Sequence, residues 1–391
     1  MKDFAKIGKV DKKVLFLTGT RADFGKLKSY MRAIEASPGF ECHIFCTGMH
    51  TLSRYGSTYD EIRKSGFKNI FLYINQIDNQ SSAMDLVLAN TIQGLGHYIR
   101  EFTSDIIVVH GDRVETLAGA IVGALNNIPV AHVEGGELSG AVDELIRHSV
   151  SKLAHVHFVA NDESKLRLLQ MGETDDSIFV VGSPDIDIML SDKLPTLSEV
   201  KRRYGIRFDE YAIFSYHPVT TDVGRVTDNI KNVVDALEAS QMNFVVIYPN
   251  NDSGSDIILN ELSRLKGSRR YRMFPSIRFE YFLTLLKHAK VIVGNSSAGI
   301  HEAPVYGVPT INIGNRQQNR FDYPSILNVK ETEVLWAMNN LPEHISPSLH
   351  FGNGDSAKLF MEILKEPDFW ERKCQKQFCD LQPALSLSGN F

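Results

Sequence analysis

The chain has little cysteine: four of its 391 residues, Cys42, Cys46, Cys374 and Cys379. Four thiolates can enclose zinc, but the first pair falls at even offsets in a strand pattern and the second in a polar C-terminal helix pattern. That spacing argues for free thiols in a reducing compartment instead. No apolar run approaches the ~20 residues that span a bilayer, and Met1 to Lys13 has no signal-peptide hydrophobic stretch. The expected setting is therefore cytoplasmic, without a membrane partner. Neither sign of charge dominates: a net charge of −5 speaks against a dedicated nucleic-acid binder and leaves room for a local basic cleft. There is no repeat at solenoid period and no low-complexity segment. A Walker A motif and a Gly-x-Gly-x-x-Gly fingerprint are both missing, so ATPase and NAD-dehydrogenase readings lose their usual support.

Hydrophobic residues at 43% and charged residues at 23% fit a globular protein, and the length favours two cores over one. Strand and helix patterns alternate almost from end to end, which implies an α/β fold of parallel sheets with helices on their faces. Near Leu194-Pro195-Thr196 the composition turns to a linker, and Thr196 with Glu199 reads as a capping box. The expected organisation is two Rossmann-like domains, residues 1–188 and 189–366. A final helix over about 367–382 would return to the first domain, followed by a loose tail. Parallel strands offer ligands their carboxyl ends, so the loops of both halves should face one cleft.

The richest stretch runs from Val291 to Glu302. It reads as a buried strand, a small-residue loop with Gly294, Ser296 and Ser297, and a short helix carrying Glu302. Small residues let the backbone approach a ligand, amides at a helix start suit a phosphate, and two hydroxyls add donors. Glu302 can accept two hydrogen bonds from a diol such as a ribose. The same pattern also serves an ordinary strand-to-helix turn, with Pro304 shortening or kinking the helix.

Other strand ends carry charge. Arg21 follows the first strand, where a guanidinium can clamp phosphate oxygens or form a surface ion pair. In His110-Gly-Asp-Arg113, Asp112 either pairs with Arg113 or works in the cleft. In His132-Val-Glu-Gly-Gly-Glu137, Glu134 emerges one strand over from Asp112, and neighbouring carboxylates push their proton affinities apart. A glycine loop that reads as mobile then leads to Asp143 and Glu144, which open a helix bearing Arg147 and His148; both acids also suit a helix first turn. His217, before a proline at a strand end, suits a phosphate contact or a proton carrier. Arg316 follows a later strand and suits a diphosphate or a cleft acid. His155 and His157 share a strand face, but without a third ligand they read as packing rather than metal ligands.

Together Thr18–Asp23, His110–Arg113, His132–Glu137, Ile146–His148, Gly294–Gly299, Glu302 and Arg316-Gln317 resemble the hydrolysing UDP-N-acetylglucosamine 2-epimerases over about residues 12–380. The likeness is to the bacterial sialic-acid-pathway branch and to the epimerase half of the bifunctional animal enzyme. Non-hydrolysing relatives usually carry Glu-Ala-Gly-Leu-Arg where this chain has Glu-Gly-Gly-Glu. The resemblance implies a glycosyltransferase-B architecture, with UDP held mainly by the second domain. It implies Ser296 and Ser297 at the diphosphate, Glu302 at the ribose, and Arg21 and Arg113 at phosphates or sugar. Asp112, Glu134 and Asp143 match the catalytic acids, with Glu144 an alternative third acid, and His217 matches an essential second-domain histidine. Gly294 and Arg316 fall within substrate-binding motifs, and His132 and Arg147 are further candidates. Some relatives have a serine where this chain has Gly25. The implied reaction converts UDP-N-acetylglucosamine to N-acetylmannosamine and UDP through 2-acetamidoglucal. Alternatives are the same chemistry on a UDP-2,4-diacetamido-2,4,6-trideoxyhexose, or glycosyl transfer from a UDP-sugar. No metal or other cofactor is implied, and relatives are often dimers or tetramers.

Overall fold

The computed structural model describes residues 11–56, 58–76, 83–219, 223–343 and 345–380. Its first sheet contains β1 (Lys12–Thr18), β2 (Phe40–Cys46), β3 (Asn69–Leu72), β4 (Ile106–His110), β5 (Val130–Val133), β6 (Val156–Val159) and β7 (Ile178–Val180), in the order 3-2-1-4-5-6-7. The second contains β8 (Ala212–Ser215), β9 (Phe244–Ile247), β10 (Tyr271–Phe274), β11 (Ile292–Gly294), β12 (Thr310–Ile313) and β13 (Ile326–Val329), in the order 10-9-8-11-12-13. Every pairing in both sheets is parallel. Helices cover both faces, so central strands such as β4 and β5 are buried along their whole length and read as continuous apolar runs.

The strand order reverses between β1 and β4 in the first sheet and between β8 and β11 in the second. At such a switch point the connections leave in opposite directions and open a crevice at the carboxyl ends. The pairing of Phe16 with Val108 sets the Thr18–Asp23 loop beside His110–Arg113. The pairing of Gly294 with Ser215 sets the serine turn beside His217. Gly294 has φ 140°, and a Cβ there would come 1.8 Å from the Ser215 carbonyl oxygen, so this crossing needs glycine.

The capping box at Thr196 is present: the Thr196 amide donates to Glu199 at 2.8 Å, and the Glu199 amide donates to the Thr196 hydroxyl at 3.4 Å. Several other expectations need correction. The helix expected over about 367–382 is not formed: the α-helix is Ser356–Lys365, followed by a 3-10 turn, Pro367–Glu371, and by non-helical chain to 380. Pro367 breaks the earlier helix, and Cys374 and Cys379 lie in this irregular segment. Ser356–Lys365 packs on the first domain, where Phe360 stacks on Tyr30 with ring centroids 4.1 Å apart. The loose tail expected at the end of the chain falls in residues 381–391, outside the described residues. β13, whose Ile-Leu-Asn-Val run is short and broken by a polar residue, had no counterpart in the strand pattern.

Candidate active site

Between the two sets of strand ends lies a cleft of about 290 Å³. Of the residues singled out by sequence, Arg21, Asp112, Arg113, Glu134, Asp143, His217, Ser296, Ser297, Glu302 and Arg316 line it. Gly294, His132, Glu144 and Arg147 do not. His132 is buried, held by Ser151 at 3.0 Å and the Gly111 carbonyl at 2.9 Å; burial above all pushes its imidazole down to about 3, so it is a neutral core residue. Glu144 accepts from the Ser139 amide at 2.8 Å and so shapes the loop, leaving Asp143 as the acid of the pair that reaches the cavity. Arg147 is fully buried and pairs directly with Asp112 from behind.

Glu302 sits on no α-helix: Ser297–Gly299 and Pro304–Tyr306 are separate 3-10 turns, with Pro304 at the start of the second. The Ser296 hydroxyl accepts from the Ala298 amide at 3.3 Å and caps the first turn. Asn295, fully buried, organises this corner. Its side chain accepts from the His217 amide at 2.6 Å and donates to the His217 carbonyl at 2.9 Å, while its own carbonyl accepts from Arg316 at 3.2 Å and Gln317 at 3.3 Å.

The Asn250 amide donates to His217 Nδ1 at 3.1 Å. A backbone amide can only donate, so Nδ1 accepts and the proton lies on Nε2. Burial, then the charges of Arg316 and Arg113, push this imidazole down to about 3. Nε2 lies 3.4 Å from the Ser215 hydroxyl, which also lines the cavity, so His217 offers a neutral N–H there; a ring so hard to protonate is not suited to carrying a proton near neutral pH.

Arg21 is engaged by Glu61 at 2.9 Å and Ser276 at 2.7 Å, and Arg113 by Glu115 at 3.3 Å and Asn251 at 3.2 Å. Arg316 pairs with Asp143 across the cleft at 2.9 Å. Burial raises the proton affinity of Asp143 above that of an ordinary aspartate, against the pull of Arg316.

Glu134 has φ 69°, a left-handed conformation that costs a non-glycine residue about 1–3 kcal/mol. Around its carboxylate stand His110 at 2.9 Å, Lys26 at 3.7 Å, Arg147 at 3.7 Å and the directly contacting Arg320. Burial opposes its charge, but Lys26, His110 and Arg320 outweigh burial and hold it well below the usual carboxylate range. His110 lies between Glu134 and Asp23, the latter at 3.1 Å. Burial alone would favour neutral imidazole, yet the two carboxylates push it up to about 10, so it is an imidazolium at neutral pH.

Lys26 was missed by sequence reasoning. It sits among Asp185 at 3.4 Å, Glu302 at 3.5 Å and Glu134 at 3.7 Å, linking a carboxylate beside the serine turn to one at the end of β5. Its signal was positional: Lys26 heads the 26-30-34 stripe of the Arg21–Glu35 helix, whose other members Tyr30 and Ile34 are fully buried. Asp185, His301 and Arg320 were missed too, with no local pattern to mark them, and Glu137, the last residue of the Glu-Gly-Gly-Glu motif, was given no role of its own. Glu134, Glu137 and His301 bring donor atoms within 4.8 Å of one another, but the Arg320 guanidinium lies 2.7 Å from Glu137 and also touches Glu134, occupying that space with positive charge. His155 and His157 are packing residues: His155 bonds the Cys374 carbonyl at 2.8 Å and His157 bonds Glu173 at 3.0 Å. At Gly25 a Cβ would meet that of Phe279 at 2.5 Å, so this interface has no room for a serine.

The glycine loop is docked rather than free. A Cβ on Gly136 would meet the Ser164 carbonyl oxygen at 2.2 Å, and one on Gly140 the Asn315 carbonyl oxygen at 1.7 Å. Its glycines permit close approach of backbone to backbone.

Two parallel-sheet α/β domains, glycosyltransferase-B-like, thus enclose a cleft with cations, paired acids and a serine turn, a class of architecture that handles nucleotide-sugars. The family model described as UDP-N-acetylglucosamine 2-epimerase matches residues 32–365. The chain is 46% identical over 382 residues to UDP-N-acetylglucosamine 2-epimerase of Neisseria meningitidis serogroup B, covering 95% of this chain and 99% of that one. It is 32% identical over 361 residues to the hydrolysing UDP-N,N'-diacetylbacillosamine 2-epimerase of Legionella pneumophila, covering 90% and 96%. The crystal structure of UDP-GlcNAc 2-epimerase from Neisseria meningitidis bound to UDP-GlcNAc superposes with TM-score 0.74 at 19% identity, over 90% of this chain and 99% of that one. The chain belongs to the UDP-N-acetylglucosamine 2-epimerase family.

Proposed function

We propose that this chain is a hydrolysing epimerase that converts UDP-N-acetylglucosamine to N-acetylmannosamine and UDP, supplying sialic acid biosynthesis in the cytoplasm as a homo-oligomer. The observation that carries the reading is the meeting, in one cleft, of the serine turn and Glu302 with Asp112, Glu134 and Asp143. In this reading residues 1–188 supply the acids and residues 189–366 hold UDP, with Ser296 and Ser297 at the diphosphate and Glu302 at the ribose. Arg21, Arg113 and Arg316 face the phosphates or sugar, with Arg316 released from Asp143 as the diphosphate arrives.

A carboxylate takes the C2 proton while the C1–O bond to UDP breaks, leaving 2-acetamidoglucal and UDP. That proton is weakly acidic, so much of the barrier falls to stabilising the leaving diphosphate, which suits the cations and the His217 N–H. Water then adds its oxygen to C1, and a proton returns to C2 on the opposite face, giving the manno sugar. Glu134, held ionised, suits the accepting role; Asp143, with raised proton affinity, and the His110 imidazolium suit donation.

The test is proton NMR with UDP-N-acetylglucosamine in deuterated buffer without acceptor. N-acetylmannosamine deuterated at C2 together with free UDP is the expected result. Accumulation of UDP-N-acetylmannosamine would mean non-hydrolysing chemistry. The 32% identity to the Legionella enzyme makes the UDP-diacetamido sugar the second compound to offer; turnover of that compound alone would reassign the substrate.

A further inference from the structure

Glu137 stands behind the cleft and does not line it. It lies in the loop after β5, is 3% exposed, and receives two residues from the other domain on one oxygen. Arg320 donates to that Oε2 at 3.0 Å from Nε and 2.7 Å from Nη2, and His301 Nε2 approaches it at 2.8 Å. An ionised carboxylate only accepts, so His301 carries its proton on Nε2. The same Arg320 Nη2 reaches Glu134, so two carboxylates share one guanidinium. His301 precedes Glu302, its amide bonds the Ser297 carbonyl at 2.9 Å, and its ring stacks on Phe351 with centroids 3.9 Å apart. A continuous chain of contacts therefore runs from the serine turn through His301, Glu137 and Arg320 to Glu134.

On the proposed function, we infer that Glu137 is a positioning residue that ties the seating of the diphosphate on the serine turn to the hold of Arg320 on Glu134. The groups facing Glu134 are Lys26, His110, Arg147 and Arg320, and those facing Glu137 are His301 and Arg320. Glu137 draws part of the Arg320 charge to itself and adds its own negative charge near Glu134. Both effects raise the proton affinity of Glu134 toward the range a base needs. Without the Glu137 charge, Arg320 turns wholly to Glu134 and weakens it as a proton acceptor.

The test compares full-length wild type, Glu137→Gln and Glu137→Asp for kcat, KM, the acid limb of the pH profile, and UDP affinity by calorimetry. For Glu137→Gln the expected result is a kcat lower by about 100-fold, UDP affinity within about 3-fold of wild type, and an acid limb moved to lower pH. Glu137→Asp, which keeps the charge, should recover about 10-fold of that loss with the limb near its wild-type position. Wild-type kcat and acid limb in Glu137→Gln, even with a lowered melting temperature, would reduce Glu137 to a structural role and overturn the inference. So would a loss confined to UDP affinity. If Glu137→Gln does not fold, Glu137→Asp decides: reduced kcat at unchanged UDP affinity supports the inference, and unchanged kcat overturns it. A wild type that binds UDP but releases none from UDP-N-acetylglucosamine sinks the proposed function instead. The inference is then decided by the proton uptake on UDP binding, measured in buffers of differing ionisation enthalpy: a change in Glu137→Gln supports it, and no change overturns it.

Discussion

Lys26 shows how a single residue sets the character of the cleft. Its ammonium is buried among three carboxylates, and their charges outweigh the burial that would neutralise it, so its proton is held more tightly than a free lysine's. Removing it leaves Glu134, Asp185 and Glu302 facing one another without their shared cation. Breaking a buried charge cluster in this way costs about 3–5 kcal/mol, and we expect Lys26→Met to lose stability of that order in urea unfolding at neutral pH. Mild acid should recover part of the loss, because the bereft carboxylates can then take up protons. Unchanged urea midpoints would show that the three acids find other partners. His217 allows a second test. Its fixed role as a neutral Nε2–H donor is one a glutamine amide can imitate, so His217→Gln should retain about 10-fold more activity than His217→Ala. Equal activity in the two variants would show that the N–H bond does no chemical work.

At the scale of elements, most of the architecture was legible because parallel strands buried on both faces read as continuous apolar runs, and because their carboxyl ends converge. Asp112, Glu134, His217 and Arg316 each follow such a run, so their meeting could be anticipated from strand position alone. Arg320 and His301 follow no such rule, and Glu137, although it lies in the loop after β5, carries no sign of its partners. Their partners lie 183 and 164 residues apart in the chain, and only the apposition of the two domains pairs them. The glycine loop was misread for a related reason: glycine signals either freedom or close approach, and the neighbour that decides between them, Asn315, is in the other domain. That docking yields a prediction. In Gly140→Ala the new methyl would meet the Asn315 carbonyl oxygen, so the loop must move, and Asp143 with it. A displacement of about 1 Å at a reacting group can cost 100-fold, and we expect a fall of that order in kcat/KM with only a small change in melting temperature. Wild-type kinetics would mean that the Asp143–Arg316 pair tolerates a shifted loop.

At the scale of the whole molecule, the buried histidines make stability depend on pH from two sides. His50, His132 and His217 are each pushed down to about 3, chiefly by burial, so the unfolded chain binds protons that the folded one refuses as pH falls below the ordinary histidine value. Their contribution is complete above roughly pH 6.5 and is lost progressively below it. Glu137 and Glu173 add to the acid side: burial opposes their charge, but their cationic partners hold each at about 2, and their contribution disappears as pH falls through the range between the ordinary glutamate value and there. His110 works in the opposite direction. Held up to about 10 by Glu134 and Asp23 against its burial, it contributes fully below the ordinary histidine value and loses that contribution as pH rises toward 10. These slopes meet near neutrality, so urea unfolding free energy should peak at roughly pH 6–7 and fall on both sides. Between roughly pH 7 and 9 the alkaline slope belongs to His110, and above that range the buried Cys42 and Cys46 thiols, pushed up by burial, add a fall of their own: His110→Gln should flatten the slope between pH 7 and 9 while leaving the acid slope in place. A slope between roughly pH 7 and 9 that survives in His110→Gln would show that the imidazolium between Asp23 and Glu134 is not its source, and with it would go the assignment of His110 as a charged member of the cleft.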